Sequence, residues 1–157
     1  MQLTTAQSAA LKAAILAETD PTLVAALAVR NDTGIAEWYN AATSFVVWRS
    51  AVPVAEYRAA VVWTEVDALT VGRARIWDWL TGSFTLPINA ADLNVRQGIA
   101  DAFGPSTTTR SNLLAVAKRV ATRAEQLLAT GTGSTNSPGT MGAEGLLSAG
   151  DVSAVLN

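Results

Sequence analysis

The chain has 157 residues, half of them hydrophobic and 15% charged, which suits one domain with a real core and excludes a wholly disordered protein. It contains no cysteine and no histidine, which removes disulfides, thiolate zinc sites, the commonest general base and the favourite ligand of zinc, copper and haem. Eleven basic residues against thirteen acidic ones leave a formal charge of −2, the wrong balance for a polybasic binder of nucleic acid or of a membrane surface.

Helix signals dominate the chain. No apolar run reaches the roughly 18–20 residues of a bilayer-spanning helix, and Met1-Gln2-Leu3-Thr4-Thr5 lacks the charged and apolar regions of a signal peptide. Thr5 is placed to cap a first helix carrying Leu11, Ile15 and Leu16. Asp20-Pro21 stops it and starts a second, with a capping carboxylate and a proline whose missing N–H costs nothing there. Asn31-Asp32-Thr33-Gly34 reads as a turn before a short helix over residues 35–40. Phe45-Val46-Val47-Trp48 fits either a short strand or an extended segment, which periodicity cannot separate.

Pro53 opens the next helix, through Val54, Tyr57 and Val61, and a break near residues 64–68 precedes another over 71–81 that Gly82 stops. Residues 83–88 read as a connection. Asn89 or Asp92 begins a helix that Gly104-Pro105 ends. The longest expected helix covers residues 109–129, with Leu113, Ala117, Val120, Ala124 and Leu127 forming a narrow seam. Residues 130–140 (TGTGSTNSPGT) then contain no apolar side chain and read as a flexible linker. Beyond them apolar residues return, as a strand end followed by a short helix.

No catalytic or phosphate-binding motif is present. The carboxylate pairs Asp32 and Glu37, Glu65 and Asp67, and Asp78 and Asp92 read as solvated faces and caps, not acid–base or calcium sites. Five tryptophans fall between residues 38 and 79, a composition suited to a core plus a protein interface. Trp77 and Trp79 sit two apart on a helix and cannot both enter one core, so one of them is expected to meet a partner. Arg110, Lys118, Arg119 and Arg123 would form a cationic stripe on the long helix, facing a subunit or DNA.

FVVWRSAVP (residues 45–53), WTEVDALT (63–70) and above all ATRAEQLLATGTG (121–133), followed by SPGT (137–140) and Glu144-Gly145, resemble segments of small tailed-bacteriophage structural proteins. The architecture resembles the head-to-tail connector adaptors, small helical proteins that form a ring, typically of twelve copies, beneath the portal. That resemblance implies a virion neck protein made in the host cytoplasm. It implies as partners identical subunits in a dodecamer, the portal protein, tail or neck proteins and the passing DNA, with no catalytic residue, cofactor, metal or membrane. Rival roles are a tail terminator, a capsid decoration protein or a small terminase-type DNA-binding protein.

The expected fold is all-α: a small helical bundle of five to seven helices over residues 1–129, then a flexible linker and C-terminal docking arm over 130–157 that can include a short strand. Met141, Leu146, Leu147, Val152, Val155 and Leu156 would dock the arm on the portal or a neighbour, so its removal should leave the bundle intact. Trp77, Trp79 and the four basic residues would face a subunit or the channel.

Overall fold

The computed structural model describes residues 1–82 and 87–157. Helix starts follow from side chains that supply acceptors to otherwise unpaired backbone N–H groups. The N-cap of α1 (Thr5–Ala17) is Thr4, one residue before the expected Thr5, in a reciprocal capping box with Gln7. Asp20 caps α2 (Pro21–Ala28), accepting from the N–H groups of Thr22 and Leu23, with Pro21 as first residue. Asn31 caps α3 (Asp32–Asn40) by accepting from Gly34 N–H, so the expected turn at 31–34 is instead the first turn of that helix. Residues 42–48 form β1 (Ala42–Trp48), which resolves the ambiguity at Phe45 in favour of a strand.

Short helices follow: α4 (Val54–Ala60), α5 (Trp63–Asp67), where a break was expected, α6 (Val71–Thr81) and α7 (Leu93–Ala102) capped by Asp92. Of the connection expected over residues 83–88, residues 83–86 lie outside the described residues. Ile88 exchanges both backbone hydrogen bonds with Val52, each at 2.8 Å.

The single long helix expected over 109–129 is three elements: α8 (Thr108–Val116), β2 (Lys118–Thr122) and α9 (Arg123–Leu128). β-branched Val120 and Thr122 favour extended backbone, and β2 pairs antiparallel with β1. Two further bonds hold this register: Thr43 Oγ1 donates to Ala121 O at 3.0 Å, and Arg123 N–H to Ala41 O at 3.0 Å. Thr122 then restarts a helix through a capping box with Glu125. The last element is α10 (Ala149–Leu156), capped by Ser148, with no strand end before it. The fold is therefore mostly helical, with ten helices among the described residues and a two-stranded sheet, and it is not all-α.

The chain divides into two units, Met1–Val47 with Val120–Asn157, and Trp48–Arg119, and not at the expected boundary after residue 129. In the first, Leu11, Ile15, Leu23, Ile35 and Tyr39 share a core with Ala124, Leu147, Val152 and Val155. In the second, Val52, Tyr57, Trp77, Ile99, Phe103 and Leu113 form the centre of another. The C-terminal residues belong to the first core because they carry the apolar side chains that complete it.

The polar stretch 130–140 is ordered by backbone pairing, not by side-chain burial. Thr130 and Thr140 exchange two hydrogen bonds at 2.9 Å, and Ser134 and Ser137 exchange two at 3.1 Å, which makes the stretch a hairpin loop. It lies along β1, with Val46 N–H donating to Gly133 O at 2.7 Å and Gly139 N–H to Val46 O at 2.8 Å. Its glycines permit close approach to an aromatic ring: a Cβ on Gly133 would sit 2.1 Å from Phe45 Cδ2, and one on Gly139 2.5 Å from Cε1. Gly133 also has φ +66°. Gly133→Ala should therefore combine overpacking with left-handed strain and destabilise by about 3 kcal/mol, lowering Tm by about 6–12 °C. Calorimetry giving an unchanged Tm would contradict the contact with Phe45.

Candidate docking surfaces

The C-terminal segment is fastened at several points to residues of its own unit. The Asn40 side-chain amide pairs with the backbone of Leu147, donating from Nδ2 to its carbonyl at 2.9 Å and accepting its N–H on Oδ1 at 2.8 Å. Glu125, only 1% exposed, accepts from Thr122 N–H through Oε2 and from Gly145 N–H through Oε1, both at 3.0 Å. Gln7 Nε2 donates to Gly142 O at 2.8 Å, and Lys12 Nζ to Leu156 O at 3.2 Å. These fastenings were not anticipated from sequence; the Thr122-Arg123-Ala124-Glu125 capping signature was the available sign of a new helix start there.

The six residues expected to form a docking tip do not form one. Leu147, Val152 and Val155 are buried in their own unit's core, Leu156 packs partly against it, and Met141 is half-buried. Leu146 alone of the six is largely exposed. The physical reason is that α1 and α3 present an apolar face that α10 completes.

Trp77 and Trp79 separate as their spacing requires. Trp77 is buried with its ring edge-on to Phe103, centroids 5.3 Å apart, whereas Trp79 is 78% exposed. Tyr57, Trp77, Leu80, Thr81, Ile88, Val95 and Ile99 line a narrow void with no room for a water molecule, so it offers no ligand site.

The four basic residues do not share a helix. Arg110 lies in α8, Lys118 and Arg119 in β2, and Arg123 opens α9, all of them half-buried. Several cations in this protein instead lie over tryptophan rings. Lys118 Nζ is 5.2 Å from the Trp48 ring centroid and the Arg96 guanidinium 4.6 Å from it, while Arg96 Nη1 also donates to Ala90 O and Ala91 O. The Arg123 guanidinium lies 3.8 Å over Trp38 and donates to that residue's carbonyl at 3.1 Å.

Two open grooves of about 450 Å³ each share Trp38 as a wall. One runs between α2 and α3 over Thr22, Ala25, Ala26, Val29 and Glu37. The other includes Ala14, Glu18, Tyr39, Arg123, Gln126 and Leu127. Val24 and Val29 on the α2 side are exposed, Val29 at 75%. Among the described residues of the second unit, Trp63, Val71, Trp79 and Leu93 are large exposed apolar side chains.

Carboxylates act mainly as local caps. Glu65, in α5, accepts from Thr108 N–H at 3.0 Å and Thr109 N–H at 2.8 Å, so it fastens the start of α8, and its pKa is held down first by the Thr109 side chain and then by these N–H groups. Backbone N–H donors likewise lower Asp20, chiefly from Thr22, and Asp151, chiefly from Ser148, while the bonded Arg49 guanidinium lowers Glu56. Burial pushes Tyr39 and Tyr57 up to about 12.

The signs of these shifts define a pH window. The depressed carboxylates favour the folded state above their unfolded values, and that contribution is lost as pH falls below about 4. The raised tyrosines favour folding below about pH 10, and that contribution is lost as pH rises through about 12. Denaturant midpoints should be flat between about pH 5 and 9 and fall on both sides. A maximum below pH 4 would contradict the capping roles.

Among the described residues, no group of three or more acidic side chains is placed to hold a metal, and no helix is long and apolar enough to cross a membrane. Neither family models, nor curated proteins, nor solved structures match this chain.

Proposed function

We propose that the chain is a multi-copy structural subunit of a tailed-phage neck, an adaptor ring that joins the portal to the tail and lines part of the DNA exit channel. The observation that carries the multi-copy reading is the apolar exposure of the second unit: Trp63, Val71 and Trp79 are 60%, 72% and 78% exposed. Two tryptophans this exposed support an interface reading, because tryptophan is enriched at protein interfaces. The neck assignment rests on the segmental resemblance to phage structural proteins. A structural rather than catalytic role fits carboxylates engaged as helix caps and fasteners.

The partners on this reading are identical subunits in a ring of about twelve, the portal, and tail or neck proteins, with DNA passing through. The C-terminal segment is a folded part of the first unit, so an extended arm reaching the portal would have to break the Asn40 and Glu125 fastenings. Contact with the portal therefore falls to surfaces already exposed. A tail terminator or decoration protein would use the same chemistry at another place in the particle.

The test is to incubate the purified protein with purified portal rings and image the mixture by cryo-electron microscopy. The expected result is an additional ring stacked on one end of the portal. Portal rings left bare at saturating protein would overturn the neck assignment.

A further inference from the structure

The two units differ in charge. The first carries three basic and seven acidic side chains, net −4, and the second eight basic and six acidic, net +2. Opposite net charges on two units of one chain favour association of unlike units between copies over association of like units.

Each unit also offers one half of a matching shape. On α6, Val71, Arg75 and Trp79 recur at intervals of four, so they form a single ridge. All three are exposed, and the neighbouring Gly72 faces open space. On the first unit, the groove between α2 and α3 is lined by Ala25, Ala26, Trp38, the exposed Val29 and the exposed Glu37. Its volume of about 450 Å³ leaves room for an indole ring. The other groove beside Trp38 contains both Glu18 and Arg123, so its charges balance and it offers a basic ridge no net attraction.

We infer that the α6 ridge of one copy docks in the α2–α3 groove of a second copy, with Trp79 as the anchor and Arg75 facing Glu37. The contact is heterologous, so a pair of copies keeps one free ridge and one free groove, and repetition gives a ring if the rotation closes. This inference deepens the adaptor reading by naming the surfaces through which its subunits meet, and it can fail separately from that reading.

The experiment is sedimentation velocity on the full chain over a concentration series. Wild type should self-associate reversibly. Trp79→Ser, which removes the anchor, should raise the dissociation constant at least about 30-fold, as loss of an interface hot spot does. Ala25→Arg, which fills the groove from an exposed position, should do the same. Mixing the two variants should yield a discrete 1:1 dimer and nothing larger, because one intact ridge meets one intact groove.

Glu37→Lys and Arg75→Glu provide a second reading that does not depend on groove filling. Each alone should weaken association, and combining both in one chain should restore it. A monomeric wild type, a Trp79→Ser chain that assembles like wild type, or variants that stay monomeric when mixed would each overturn the inference. Self-association through this contact without portal binding would overturn only the neck assignment. Portal binding by a chain whose assembly survives both substitutions would overturn only this contact.

Discussion

Removing residues 142–157 should unfold the first unit. Those residues supply Leu147, Val152 and Val155 to its core, and full burial of each side chain is worth roughly 1.5–3 kcal/mol. Their loss also uncovers Leu11, Ile15, Ile35 and Tyr39, and leaves Glu125 buried beside a missing Gly145 N–H partner. The expected cost is at least about 5 kcal/mol, comparable with the whole stability of a small domain. Circular dichroism and denaturant titration should show lost helix and lost cooperativity. A truncated chain that melts like the full one would restore the segment to the status of a dispensable arm.

The second large effect is Trp77→Ala, which should destabilise by about 3–5 kcal/mol. Trp77 fills the second core against Phe103 and borders the narrow void beside Tyr57 and Ile99. Truncation to alanine would merge that void with the space the indole leaves, in a place where helices cannot easily collapse. Trp79→Ala, two residues away but exposed, should change monomer stability by less than about 0.5 kcal/mol. Thermal melts at low protein concentration should therefore separate the two variants sharply. Equal losses would mean that Trp79 too belongs to a core.

Local signals were the most legible part of the sequence. Asp20-Pro21 and Asp92 start helices as their chemistry requires, and the two-residue spacing of Trp77 and Trp79 correctly separates their environments. Where a local pattern competed with tertiary pairing, the pairing won. Leu113, Ala117, Val120, Ala124 and Leu127 fit one helical seam, yet Val120 lies in a strand because β1 offers it a partner.

The glycines and threonines of residues 130–140 carry the composition of a flexible linker. What orders them is backbone pairing, with one another and with Val46, and it brings Gly133 and Gly139 against Phe45, a ring far away in sequence that leaves space for backbone and none for a Cβ. Nothing in the composition identifies that partner. The same holds for Asn40, whose amide imitates a neighbouring strand for Leu147. An isolated asparagine at the end of a helix gives no sign of an acceptor and donor 107 positions away.

The central structural claim is that the C-terminal segment is core and not arm, and native-state hydrogen exchange tests it most directly. In the full chain, the amides of Leu147, Val152 and Val155 should exchange with the same opening free energy as those of Leu11 and Ile15 in α1, because all five belong to one cooperative unit. Amides of residues 147–155 that exchange freely while α1 remains protected would contradict it.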